Sequence, residues 1–292
     1  MGFRTVIVNS RCKLEFRLNY LIVRGEQERR IIVNEISTLI IQSTAVSLTA
    51  ALLCELTKNN VKVIFCDEKN NPQSELIPYY GAHNTSKRYK TQFLWREETK
   101  RNVWQAIIKQ KIANQARNLL RCGFSTEYEM LNHYRDEVQS GDSSNREGHA
   151  AKVYFNSMMP SGENRRSGGF INGCLNYGYA ILLSAFNREI VACGYLTQIG
   201  IWHNNEFNPF NLSCDLMEPL RPVIDFIAFS LQPDDEGFKK KLINVLNYEA
   251  TCNEKKTTLD IAIRQYVHSV MGAMEKNDES LICFPEVINP DE

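Results

Sequence analysis

The sequence predicts an α+β protein, with a small β-rich, sandwich-like N-terminal domain over residues 1–82 and a larger all-helical domain over residues 83–292. Three observations carry this reading. Short runs rich in Val, Ile and Thr and bounded by turn residues fill the stretch before Tyr80. From Phe93 onward, apolar residues recur mostly at helical steps. Between the two, the composition shifts across Pro78–Ser86 (PYYGAHNTS).

The expected strands are Thr5–Asn9, Tyr20–Arg24, Arg29–Val33, Thr38–Gln42 and Val61–Asp67. Their close spacing predicts antiparallel pairing. Leu48–Lys58 (LTAALLCELTK) is amphipathic and predicts a short helix, and Asn70, Asn71 and Pro72 predict a turn. In the second half, Phe93, Trp104, Ile107, Ile108, Ile112, Ala116, Leu119 and Leu120 predict one long helix or a pair of helices through residue 121. Glu127–Gln139 predicts another, before the GDSSN turn. Residues 161–173 (SGENRRSGGFING) have no apolar period and read as a loop. Leu175, Tyr179, Leu182, Phe186 and Ile190 predict a buried helix running to about Gly200. Helical patterning resumes after Pro222, breaks at Gln232–Gly237, and continues through Lys239–Tyr248 and Leu259–Met274. The acidic tail from Glu275 reads as frayed.

Composition excludes several classes. Hydrophobic content of 43% with 23% charged residues is that of a globular chain. Lys plus Arg and Asp plus Glu are 34 each, so any affinity for nucleic acid must come from local charge. Nine scattered cysteines without a C-x-x-C pair argue against a zinc ribbon or a secreted disulfide framework. No apolar run approaches the roughly 20 residues that span a bilayer, and the N-terminus does not pattern as a signal peptide. The expected location is therefore cytoplasmic, with no membrane partner. Phosphate-loop, dinucleotide-loop, H-E-x-x-H and G-x-S-x-G motifs do not occur, so neither ATP-driven nor Ser-nucleophile chemistry has support.

The most informative stretch is His203–Pro222 (HNNEFNPFNLSCDLMEPLRP). It offers an imidazole, a run of Asn and Pro that reads as an ordered loop, and then Asp215 and Glu218. A helix starting near Asp215 sets both carboxylates on one face. Glu147, in SSNREGHAAKVYF, is a third carboxylate at the start of an apparent helix. One imidazole and two or three carboxylates on separate elements suit a divalent cation that activates an oxygen nucleophile. Structural readings compete at every position. Ser144 to Glu147 has the form of a capping box. His203 could interact with the C-terminal dipole of the preceding helix. Asp215 and Glu218 could supply the negative first turn of a helix that tolerates Pro219. His149 falls on a different helix face from Glu147, and His83, His133 and His268 have no carboxylate pattern around them.

Local charge adds a second signal. Between Lys87 and Arg121 stand ten basic residues against Glu97 and Glu98, a local +8, interleaved with Tyr89, Phe93, Trp95 and Trp104. Arg165 and Arg166 add to it. Such a mixture suits tracking of a phosphate backbone with some base stacking.

The stretches VIVNS, SNREGHAAKVYF, NYGYAILLSAFNREIVACGYLTQIGIWH and FNLSCDLMEPLRPVID, in this order, resemble the CRISPR-associated integrase of spacer acquisition, the CRISPR-associated protein one family. The resemblance covers nearly the whole chain and is closest to the type II-A subgroup. It implies metal ligation of Mg²⁺ or Mn²⁺ by Glu147, His203 and Glu218, with Asp215 in a supporting role. It further implies double-stranded DNA as substrate, a homodimer with the N-terminal domain in dimerisation and partner contact, and a complex with the small second CRISPR-associated protein and other type II-A adaptation proteins. The implied activity is that of a metal-dependent DNA endonuclease and integrase. A 3′-hydroxyl of a short duplex attacks a phosphodiester of the CRISPR array, and water in its place gives cleavage. A non-catalytic DNA-binding scaffold of the same complex is the alternative. A phosphodiesterase of small substrates would leave the local +8 without a purpose.

Overall fold

The computed structural model describes residues 2, 4–68, 72–79, 84–160, 162, 164, 165, 167–252 and 255–288. The expected turn at Asn70 and Asn71, the 82/83 boundary, His83 and Arg166 lie outside the described residues. The chain divides into two compact units, Met1–Thr85 with Val191–Gly194, and Ser86–Ile190 with Tyr195–Glu292.

In the first unit the strands are β1 (Arg4–Val8), β2 (Cys12–Arg17), β3 (Tyr20–Arg24), β4 (Glu28–Ile32), β5 (Ile36–Ile41), β6 (Val46–Leu48), β7 (Lys62–Cys66) and β8 (Pro72–Leu76). They form two four-stranded sheets, ordered β1-β5-β7-β8 and β4-β3-β2-β6. Antiparallel pairing holds for β2-β3-β4, but β1, β5 and β7 run parallel. The expectation fails because consecutive strands do not all pair with each other. The chain leaves β1, builds the β2-β3-β4 meander of the second sheet, and returns as β5. Helix α1 (Ala50–Lys58) then precedes β7, and its first turn is capped by Thr49, whose Oγ1 accepts from Leu52 N at 3.3 Å. Leu14 and Leu21 of one sheet, Leu39 and Val63 of the other, and Leu52 and Leu56 of α1 share one core.

The second unit is mostly helical. Its helices are α2 (Thr85–Phe93), α3 (Glu97–Arg121), α4 (Ser125–Asp136), α5 (Arg146–Met158), α6 (Phe170–Ala192), α7 (Asn211–Met217), α8 (Arg221–Ser230), α9 (Phe238–Asn244) and α10 (Leu259–Lys276). Helix α3 is continuous and buries Trp104, Ile107, Ile108, Ile112 and Leu119 along one stripe. Helix α6 ends at Ala192 rather than near Gly200, because Gly194 turns the chain at φ +81°. This unit is not all-helical. Strands β9 (Glu249–Cys252), β10 (Lys255–Thr258) and β11 (Glu286–Val287) form a small sheet, ordered β10-β9-β11. The tail from Glu275 through Ile288 is therefore docked rather than frayed. Its strand β11 pairs with β9, and the Cys283 sulfur lies against that of Cys252. Strands of two to four residues are too short to show a period. No described helix is long and apolar enough to cross a membrane.

Candidate metal centre

Helix α3 is the spine of the site. Trp104, Lys111, Asn114 and Asn118 recur at steps of three, four and seven, and so lie along one face. Trp104 stacks on Trp202 with ring centroids 5.7 Å apart and meets the His203 ring edge-on at 5.6 Å. The Lys111 ammonium lies 2.6 Å from Glu147 Oε1 and 2.6 Å from Glu218 Oε2. Asn114 donates to the Pro219 carbonyl at 2.7 Å, and Asn118 donates to the Pro222 carbonyl at 2.7 Å. These two asparagines grip the backbone within and just after the 3₁₀ turn Glu218–Leu220 that separates α7 from α8. Pro219 and Pro222 each lack an N–H, so the helical ladder is interrupted here, and the asparagine contacts hold the segment that presents Glu218.

Glu147 reaches Lys111 because another residue caps its helix. The Asp142 carboxylate accepts from Arg146 N at 2.8 Å and from Glu147 N at 3.0 Å. Ser144 makes no cap bond to α5; its hydroxyl points to the Glu137 carbonyl at 3.4 Å. The capping-box reading of Glu147 is thereby overturned, and its carboxylate is turned into the site. Removing this cap in Asp142→Ala is expected to lower unfolding stability by about 1 to 2 kcal/mol. A urea denaturation curve measures it, and an unchanged midpoint would contradict the assignment.

His203 lies in the loop between α6 and α7, not at a helix terminus. Its place is set by Asp215, which is fully buried in α7. One carboxylate accepts from Ile201 N at 2.6 Å, Trp202 N at 2.9 Å, His203 N at 3.0 Å and the His203 ring at Nδ1, 2.5 Å away. Gly200 makes this approach possible, since a Cβ there would lie 2.3 Å from the His203 carbonyl oxygen and 2.8 Å from Asp215 Oδ2. The Asn-rich loop is ordered by its own side chains. Asn205 and Asn208 accept from Phe207 N and Phe210 N, and Asn211 donates to the carbonyls of Gln198 and Asn205. With Nδ1 engaged, Nε2 is the ring nitrogen left for a ligand, and the side chain is 42% exposed. The hydrogen bond to Asp215 raises the His203 pKa, burial opposes it, and the charges of Glu218 and Glu147 add to the rise.

Asp215 and Glu218 do not act as one pair. Asp215 faces the loop amides, whereas Glu218 faces α3, its Oε1 lying 2.8 Å from Arg221 Nε. Burial would raise the Glu218 pKa, but the Lys111 and Arg221 charges outweigh it and hold the group ionised below its ordinary range. Lys111 pairs with its Oε2 and Arg221 with its Oε1. Among the described residues no three of His, Cys, Asp and Glu close on one point as a finished ligand set. The donor chemistry nevertheless fits a hard divalent cation: two carboxylates already share a cationic centre, and an oriented imidazole lies within reach of the charge of both.

Lys111, Arg221, Asp142 and the two asparagines escaped the sequence reading. A signal for Lys111 was present. It follows Ile107 by four and Ile108 by three, which puts a lysine on the buried stripe of α3. The other bases of the run divide by environment: Lys87, Lys90, Arg96, Arg101, Arg117 and Arg121 are exposed, whereas Arg88 pairs with Glu275. Trp95 and Trp104 are core residues, while Phe93 is 66% exposed. Arg165 donates to Asn172 and Asn176, and His133 and His149 sit on exposed faces of α4 and α5.

Behind Glu218 lies a buried acid. The Arg221 guanidinium lies 4.7 Å from the centre of the Tyr179 ring, and the Tyr179 hydroxyl donates to Asp225. Burial pushes the Asp225 pKa up to about 7, against hydrogen bonds from Tyr179 and Tyr154 and the charges of Arg221 and Lys111. An unfolded Asp titrates near 3.9, so between about pH 4 and pH 7 the folded chain binds the extra proton and this group's contribution to stability falls as pH rises. Asp225→Asn is expected to flatten that fall, narrowing the difference in melting temperature between pH 5 and pH 8 by several degrees. An equal slope in both proteins would contradict it.

A sequence profile of the family described as "CRISPR associated protein Cas1" matches residues 5–247. The chain belongs to the Cas1 family. It is 30% identical over 296 residues to a CRISPR-associated endonuclease Cas1 of Neisseria meningitidis serogroup C, strain 8013, covering 99% of this chain and 97% of that relative. Among solved structures, a Cas6-RT-Cas1–Cas2 complex matches with TM-score 0.75 and 19% identity, covering 96% of this Cas1-family chain and 36% of the longer one. A casposase bound to integration product matches with TM-score 0.73 and 21% identity over 95% of this chain and 93% of that one. At those identities the two structures establish a shared fold, and it agrees with the α+β reading.

Proposed function

We propose that this Cas1-family chain is a metal-dependent DNA endonuclease and integrase that inserts short duplexes into a CRISPR array by 3′-hydroxyl attack on a phosphodiester. One observation carries the proposal: the acids Glu147 and Glu218 share a single cationic centre at Lys111, beside an imidazole whose far nitrogen is oriented by Asp215. Glu147, Glu218 and His203 Nε2 would hold Mg²⁺ or Mn²⁺. When bound, the ion supplies Lewis acidity toward the phosphodiester and the attacking oxygen. The chain's own residues prepare that chemistry. Asp215 holds the proton on His203 Nδ1 and so keeps the Nε2 lone pair available. Arg221 anchors Glu218 in place. The exposed bases of α2 and α3, such as Lys87, Lys90 and Arg101, supply the field that draws a polyanion toward an acidic site. Water in place of the hydroxyl gives cleavage from the same arrangement. No triphosphate is consumed when one phosphodiester is exchanged for another.

The partner assignments belong to the same proposal. The solved relatives named above hold Cas2 or an integration product, which supports double-stranded DNA and the small second CRISPR-associated protein as partners of this chain in the cytoplasm. Two 3′-hydroxyls must reach two sites a set distance apart, and a homodimer using the domain of residues 1–82 meets that requirement. The test is strand transfer of a labelled duplex into a plasmid carrying the repeat, with Mn²⁺ or Mg²⁺ and with chelator. A scaffold reading draws on the fact that Lys111 and Arg221 already neutralise the two acids. It predicts salt-steep DNA binding without a specific Mn²⁺ site and without joined product.

A further inference from the structure

We propose that Lys111 is the resident counter-ion of this centre: a positioning residue whose ammonium holds Glu147 and Glu218 together until a divalent cation displaces it. The proposal rests on the metal reading above and extends it to how the site is loaded. Lys111 is 9% exposed, and its nitrogen is 2.6 Å from an oxygen of each acid. A lysine is rarely buried unless it is paired, and here both partners are residues of the candidate ligand set. The local charge balances without metal, with Glu147 and Glu218 set against Lys111 and Arg221. A divalent ion bound by Glu147 and Glu218 would take oxygens that the Lys111 ammonium already occupies and add positive charge beside it, so Lys111 is the group that must give way.

The two cations are not equally free to go. Arg221 lies over the Tyr179 ring and holds Glu218 Oε1 at 2.8 Å. Lys111 has a flexible four-carbon stem and a compact charge, and is the easier group to swing out. The Glu147 side chain is 28% exposed against 5% for Glu218, so the opening to solvent lies on the Glu147 side of the ammonium. In the metal-free chain the ammonium keeps two like charges from repelling. During loading it competes with the incoming ion, so apparent affinity is lowered by the fraction of molecules in which it is still seated.

Calorimetric titration of the full chain with Mn²⁺, comparing wild type with Lys111→Met, tests this. The expected result is a lower melting temperature for metal-free Lys111→Met together with Mn²⁺ binding about tenfold tighter or more. Lys111→Arg, whose fork pairs carboxylates more firmly, is expected to bind Mn²⁺ more weakly than wild type. A lysine that only props the structure would give the opposite result in Lys111→Met, looser binding along with lower stability. Equal or weaker Mn²⁺ affinity in folded Lys111→Met overturns the proposal while leaving the metal reading intact. Absence of Mn²⁺ uptake by both proteins overturns the two together.

Should Lys111→Met fail to fold, wild type decides the matter. Reductive methylation read by mass spectrometry is expected to modify Lys111 about fivefold faster or more with saturating Mg²⁺, as the fraction of exposed amine rises. Exposed lysines such as Lys87 serve as the internal control. An unchanged rate at Lys111 overturns the proposal.

Discussion

Strand transfer in Glu147→Gln, Glu218→Gln and His203→Ala is expected to fall by about three orders of magnitude or more at saturating Mn²⁺. Each change removes a donor from the cation that offsets the charge of the reacting phosphodiester. Glutamine keeps the volume of glutamate, so a loss in Glu147→Gln reports charge rather than shape. The losses should not add: a double variant is expected to be about as inactive as either single one, because residues that act as a unit fail together. Stability separates the two acids. Glu218 is 4% exposed and faces two cations, so its neutralisation strands buried charge and should cost roughly 3 to 5 kcal/mol. Glu147 is more exposed, and its variant should fold close to normally. The rate of joining labelled duplex to repeat-bearing plasmid is the measurement, and folded Glu147→Gln retaining activity within about tenfold of wild type would remove Glu147 from the centre.

Asp215→Asn is expected to damage folding and metal binding at once. The carboxylate is 0% exposed and serves three backbone amides and one imidazole. An asparagine side chain must set its NH₂ against one group of donors, leaving buried N–H groups unmatched. The expected cost is about 3 kcal/mol or more, from an interrupted charged network in the interior. The imidazole loses the carboxylate that fixes its orientation, and Mn²⁺ affinity should drop about 10- to 100-fold. Urea denaturation reads the first effect and calorimetric titration the second. A variant within about 1 kcal/mol of wild type would mean that the loop does not depend on this carboxylate.

Several features were legible in residue order. The shift near Pro78 marks a change from strands to helices, the helical period of α3 and α6 is plain, and the asparagines after His203 order their loop as their side-chain chemistry predicts. Others were left open or missed for reasons that can be named. Glu147 follows Ser144 at the spacing of a capping box, yet Asp142, farther upstream, takes the amides. The i,i+3 spacing of Asp215 and Glu218 predicts a shared task, but the chain offers Asp215 a set of loop amides and Glu218 two cations. Strand polarity in the first unit was missed because β1, β5 and β7 pair with one another without being consecutive in the chain. Strand β11 was missed because two residues carry no period.

What sequence alone determined is the alternation of apolar and polar residues that sorts this chain into a β-rich part and a mostly helical part, and the supply of an imidazole and carboxylates suited to a hard cation. Both are properties of single residues and their near neighbours. Tertiary structure decided which charge meets which. Lys111 stands 36 positions from Glu147 and 107 from Glu218, and only packing α3 against the segments that carry them turns a lysine from a basic run into their buried partner. Spacing along the chain cannot encode that outcome, because the energy of an ion pair depends on distance and burial in space, and both are set by contacts between elements far apart in sequence.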